Sequence, residues 1–408
     1  MNYIRILLFF VLLTTGNAAF ARMAAGPWRG VLQLNDSTEL PFLFDVSYKD
    51  DNMRIVVHNG PENLEVRAIR QTDDSVSWKM PFFESRFYCA LNSSKEISGV
   101  WLNPNTEGIK RTLFRAKHGV KTRFEIPESR FTSTNYAGNW QIVIEAGKLD
   151  SLPARGLFEQ NGNLLKGTIM SVRGDYRYLE GYAWGNHFKL CGFDGGHAFV
   201  FAGDIINTDS LHAGFWFGVH NFMKWNGKKN PAYRLPDPKT ITFVDDTTAE
   251  VHFSLYNSQG RAVSLADEQF RNKVVIIQLM GSWCPICYDE TNMLKKLYNT
   301  YHNQGLEIVA LDYEKNMNPV RARETAERFR KECDVPYDIL VAGRNSYALA
   351  HASFPQLNKV TAFPTTIYLD KSGKIREVYT GFSGPATGAE NEALVKEIDA
   401  LVKKLLAE

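Results

Sequence analysis

The chain has 408 residues, 44% hydrophobic and 23% charged, an ordinary globular composition with room for two or three domains. Its 47 basic residues nearly balance 45 acidic ones, so composition argues against a nucleic-acid partner. Eight Trp residues are spread along the chain, which favours β-rich packing wherever helical periodicity is lacking.

Residues 1–5 carry one positive charge, residues 6–13 are continuously apolar, and Ala19-Phe20-Ala21 supplies small residues for a peptidase. This is the layout of a cleaved secretory leader over residues 1–21. The apolar core falls well short of the roughly 20 residues a spanning helix needs, a retained anchor being the alternative. The mature chain is therefore expected to begin near Arg22 and to work, soluble, in the periplasm or cell envelope. There, thiols pair unless something keeps them reduced. The five cysteines are Cys89, Cys191, Cys284, Cys287 and Cys333.

From Trp28 to about Tyr233 short runs rich in branched and aromatic residues, such as 40–46, 53–58, 76–80 and 97–102, alternate with turn clusters. The pattern predicts an all-β barrel or sandwich. A weak repeat divides it. Gly26-Pro27-Trp28 is echoed by Gly138-Asn139-Trp140, Phe83-Glu84-Ser85 by Phe193-Asp194-Gly195, and Ser98-Gly99-Val100-Trp101 by Ala213-Gly214-Phe215-Trp216. Two related β units follow, residues 22–136 and 137–240, lying side by side or closing one barrel. Cys89 and Cys191 fall in different units and could bridge them, but connectivity cannot be read from sequence. Asp175, Asp194 and His197 could form a polar site, although turn-forming Asp and Gly explain them as well.

Residues 226–237 have linker composition, and an α/β texture follows over residues 241–408. A hairpin about Asn257-Ser258-Gln259-Gly260 precedes a continuous apolar run at 274–279 that suits a buried strand. Leu294, Leu297, Tyr298 and Tyr301 mark one face of a helix stopped by Gly305, and 306–311 is a second buried strand. Asn318-Pro319 opens another helix, with cap and first-turn Pro in the favoured order. A hairpin about Lys371-Ser372-Gly373-Lys374 and an amphipathic helix through Leu394, Ile398, Leu401 and Leu405 complete the layout. The loop Gly381 to Gly388 between them reads as punctuation.

Cys284-Pro285-Ile286-Cys287 lies where the first central strand passes into a helix. The first turn of a helix offers free N–H groups and the positive end of the macrodipole, which favour a thiolate at Cys284. Cys287, one turn in, is expected to be buried and to act as the resolving thiol. A structural zinc site needs four ligands, and neither a second close Cys pair nor a matching His pair is present. Neither metal nor organic cofactor is expected; the redox group is the Cys284–Cys287 pair itself.

The stretch Lys273 through Glu290, with Trp283 before the first Cys and Glu290 three residues after the second, resembles the central strand and active-site helix of the TlpA-like thioredoxin family. The likeness runs from about Thr248 to the C-terminus and implies a thioredoxin fold after the β region. It also implies that Thr361-Ala362-Phe363-Pro364-Thr365 carries a cis-proline facing the dithiol, with Pro364 helping to hold an incoming disulfide segment. Glu290, Trp283 and Pro364 thus join Cys284 and Cys287 as site residues. The buried Asp that thioredoxin uses as proton acceptor is replaced by Gln278, which cannot take a proton. Glu290 or water could serve instead, an exposed and chemically idle Glu290 being the other reading.

The resemblance implies a reductase of disulfides in envelope proteins, drawing electrons from a membrane thiol donor. Thiol peroxidase is an alternative on the same fold, but the Pro and Thr or Ser that activate peroxide ahead of the reactive Cys are missing upstream of Cys284. A ligand-binding β domain with a structural thioredoxin appendage is another, against which the intact Cys pair argues. Oligomeric state is not legible.

Overall fold

The computed structural model describes residues 22–105, 108–125, 134–145, 147–148, 151–218, 221–244, 251–316 and 318–408. The expected leader at residues 1–21 lies outside them. Three sheets make up the described protein, two of nine strands and one of seven.

The first sheet is antiparallel throughout. Its first strand, Gly26–Gln33, sits at the centre beside its last, Gly108–His118, and its two edges, Glu62–Glu65 and Arg67–Gln71, are consecutive in the chain. In the second sheet Leu152–Asn161 pairs with both Gly138–Ile144 and Leu164–Ser171, which closes the ring into a barrel. Burial alternates along Gly138–Ile144 and Leu179–Trp184, as a strand with one face inward demands. Trp140, Phe188, Phe201, Phe215 and Trp225 fill the barrel.

The repeat is real at its first echo. Trp28 and Trp140 each open their unit's first strand, are fully buried, and donate the indole N–H to the carbonyl four residues back, Ala24 at 2.9 Å and Tyr136 at 2.8 Å. The glycines two residues before them, Gly26 and Gly138, share a positive φ of 118° and 111° that suits glycine. The third echo slips, because Trp101 points into its core while Phe215, not Trp216, does so in the second unit. The units form two sheets rather than one barrel, and the second plugs the first. Phe193, Ala198 and Val200 complete the first unit's core, and Phe193 stacks on Phe42 with ring centres 4.4 Å apart.

The third sheet has Val274–Met280 near its middle, every residue buried. Leu306–Glu314 and Asp338–Arg344 run parallel on one side; on the other Thr365–Leu369 runs antiparallel to it, and Ile375–Thr380 pairs antiparallel with Thr365–Leu369. Helices α1 (Pro285–Tyr301), α2 (Pro319–Glu332), α3 (Tyr347–Ser353) and α4 (Ala389–Ala407) pack around it. The chain is thus multidomain, two β-rich units followed by a thioredoxin-like α/β domain. Among the described residues no helix is long and apolar enough to cross a membrane.

Candidate active site

Helix α1 starts at the carboxyl end of Val274–Met280, with Cys284 as its extended N-cap and Pro285 in its first turn. Proline fits there because its missing N–H has no intrahelical partner to lose. The Cys284 Sγ accepts the Cys287 backbone N–H at 3.3 Å, using one of the free donors of the first turn. On its other side the thiol lies 3.5 Å from the Phe363 carbonyl oxygen, and the Phe363–Pro364 bond is cis. Trp283 is pinned by its indole N–H to the Tyr313 carbonyl at 2.9 Å, and the Lys315 ammonium sits 5.0 Å from its ring centre. The structure therefore brings together Cys284, Cys287, Trp283 and Pro364.

Cys287 is fully buried. Burial, and after it the neighbouring Cys284, pushes its thiol well above the ordinary range, so it needs a proton acceptor before it can attack. Glu290, one turn further along α1, is only 1% exposed, which overturns the reading of a surface residue. Its carboxyl accepts from the Thr366 hydroxyl and from the Gln278 amide, both at 2.8 Å. Burial pushes this carboxyl up to about 7, against the pull of its two donors. Gln278 cannot take a proton, but it orients the acid that can, and its amide also lies 3.4 Å from the Cys287 carbonyl oxygen.

The remaining thiols are buried and form no disulfide. Burial pushes both Cys89 and Cys333 up to about 12. Cys191 is not bridged to Cys89; its sulfur lies 3.2 Å from the Pro41 carbonyl oxygen.

What sequence reading missed is how the β units reach this site. Arg177, in the second unit, donates two hydrogen bonds of 3.0 Å to Asp289, two residues after Cys287. The same guanidinium pairs with Glu62 of the first unit and, at 3.4 Å, with Asp194. Asp194 does form the expected turn, accepting the N–H of Gly196 and His197, yet it belongs to this buried cluster as well. Burial pushes its carboxyl up, but His197 and Arg177 outweigh that and hold it at about 2. Asp175 accepts the Gly384 N–H at 2.6 Å, so the loop read as punctuation is a docking point.

This geometry, a reactive thiol at a helix start and a buried partner one turn in, defines a dithiol site of thioredoxin type. Residues 235–394 match the Redoxin family model. The Thiol-disulfide oxidoreductase ResA of Geobacillus thermodenitrificans is 29% identical over 143 residues, 35% of this chain and 72% of that protein. The protein of the same name from Halalkalibacterium halodurans is 28% identical over 153 residues, 38% of this chain and 74% of its own. A solved structure described as a secreted thiol-disulfide isomerase from Corynebacterium glutamicum is 22% identical, covers 43% of this chain and 97% of its own, and has a TM-score of 0.32. The C-terminal region is a redoxin domain of the thioredoxin superfamily, of TlpA-like type, and its activity class is thiol–disulfide oxidoreductase. The β units precede the matched stretch.

Proposed function

We propose that the protein is an envelope or periplasmic reductase of protein disulfides, working through Cys284 and Cys287. The observation that carries this reading is the Cys284 sulfur, held at 3.3 Å from a free N–H of α1 and facing the backbone before Pro364. The Cys284 thiolate attacks one sulfur of a substrate disulfide, forming a mixed disulfide and releasing the other sulfur as a thiolate. Cys287 gives its proton to Glu290 and attacks the Cys284 sulfur. The second substrate sulfur leaves, both electrons have passed to the substrate, and the Cys284–Cys287 disulfide remains. Pro364 and Phe363 line the place of the incoming segment, and Trp283 shields the sulfur. A membrane thiol donor restores the dithiol, and the leader at residues 1–21 supports the location. The β units position the client.

Cys287→Ser tests the order of events. With a disulfide-bearing protein it should accumulate a mixed disulfide at Cys284, seen on non-reducing gels, whereas Cys284→Ser should give none. Trapping through position 287 in preference to 284 would reverse the assigned roles.

A further inference from the structure

In the full chain the dithiol is covered. Cys284 is 5% exposed, Ile286 5% and Cys287 0%, although a helix start at the edge of a sheet is ordinarily open. Phe363 of the same domain flanks the Cys284 sulfur, and the second β unit adds cover over Ile286. The turn at residues 171–174, which joins Leu164–Ser171 to Gly174–Asp175, reaches across to the thioredoxin domain. A Cβ placed on Gly174 would lie 3.0 Å from Ile286, inside the Cys-x-x-Cys segment, and one on Gly381 would lie 2.8 Å from the Val172 carbonyl oxygen. The turn thus touches the dithiol segment on one side and the chain following Ile375–Thr380 on the other.

Tyr347, whose ring lies 5.2 Å from that of Phe363, feels the charge of both the turn and the dithiol. Burial raises its hydroxyl's pKa; Arg173 at the turn's tip lowers it, while Cys284 and Cys287 add to the rise. The turn is fastened by Asp175 to Gly384 and by Arg177 to Asp289. A second contact ties the first unit to the same domain, with the Phe82 ring 4.4 Å from Tyr288 and the Phe82 N–H donating to Glu332 at 2.9 Å.

Disulfide exchange needs the attacked sulfur to approach Cys284 in line with the bond that breaks, so whatever flanks Cys284 decides which disulfides can reach it. We propose that residues 171–174 form a further wall of the substrate site, supplied by the β region, and that Val172 and Arg173 restrict the dithiol to disulfides on a slender, extended segment. Disulfides set flush in a folded protein surface are excluded. The inference rests on the exchange reading of the dithiol and specifies the form its substrate takes.

The test is the accessibility of Cys284 in the reduced full-length protein. Its labelling by N-ethylmaleimide is compared with that by a maleimide carrying a long polyethylene-glycol chain, with Cys284 followed by peptide mass mapping. The rate ratio of small to bulky reagent, relative to the same ratio in the chain unfolded in denaturant, should be about tenfold or more. In Arg177→Ala, which unfastens the turn, the ratio should fall towards the unfolded value. Should circular dichroism show that variant unfolded, the surface variant Val172→Gly with Arg173→Gly takes its place, with the same expected fall. A native ratio equal to the unfolded one, or a ratio unmoved in a folded variant, overturns the proposal. Alkylation reads access whatever the redox potential, so a size-selective Cys284 that never forms a reversible disulfide would sink the exchange reading alone.

Discussion

Cys287 and Glu290 lie one helical turn apart, both buried, and a negative Glu290 makes a Cys287 thiolate harder to form. A carboxyl held at about 7 meets that difficulty by accepting the proton as Cys287 attacks the Cys284 sulfur. Glu290→Gln should therefore lengthen the lifetime of the mixed disulfide by about 100-fold while leaving its formation by Cys284 unchanged, as read by acid-quenched rapid mixing. Equal resolving rates in both proteins would remove Glu290 from the mechanism. The same group sets a pH dependence of stability. Its native value of about 7 exceeds the ordinary 4.5, so between those values the folded chain keeps a proton that the unfolded chain gives up. Stability contributed by this site therefore falls as pH rises from about 4.5 to 7, by up to about 3 kcal/mol. Glu290→Gln should flatten that slope, measured as hydrogen exchange of the Val274–Met280 amides across the range; an unchanged slope would contradict it. Cys284, Cys287, Trp283 and Pro364 were legible in sequence because short motifs carry them. Arg177 was not, because Glu62 and Asp289 stand 115 and 112 residues away from it, and only the fold closes that distance.

Elements were legible where local chemistry marks their ends. Asn318 caps α2 as its sequence suggests, its side chain accepting the N–H of Val320 and Arg321 at 2.9 and 3.2 Å. Asn318→Ala should cost about 1 kcal/mol, seen as faster amide exchange in the first turns of α2 and not in α4. Uniform loosening of both helices would show that the cap is not local. Two elements escaped. The strand Asp338–Arg344 is half-buried toward its end and carries Gly343, which weakens the apolar run that marks its neighbours. Helix α3 spans 7 residues, with Ala350 its one buried position, too little for periodicity to register. It still places Tyr347 against Phe363 beside the dithiol.

Across the whole molecule, β region and thioredoxin domain are fastened at two ends by polar groups that single-domain patterns do not reveal. At one end Glu332 of α2 accepts from Lys79 and from the Phe82 N–H, each at 2.9 Å, while the Phe82 carbonyl accepts from Arg328 at 2.6 Å. Glu332→Ala leaves a part-buried ammonium and an N–H without their partner, at a cost of about 2 kcal/mol. It should speed proteolysis of residues 230–237, which join the barrel's last strand, Asn221–Lys229, to the thioredoxin domain, the sequence-expected linker being shorter because its first residues belong to that strand; an unchanged cleavage rate would show that this end bears no load. Fold class was readable for both halves because strand alternation and α/β texture are local. The docking of one half on the other's reactive face was not, since it depends on Asp175, Arg177 and Gly384 meeting across 209 residues of chain in one case and 112 in another. The most direct test of the account is the reduction potential of Cys284–Cys287 in the full chain, by equilibration with dithiothreitol or glutathione and thiol trapping. A reversible pair near the ~−270 mV of thioredoxin is the result a reductase predicts. A value near the ~−120 mV of DsbA, or no reversible pair at all, would contradict it.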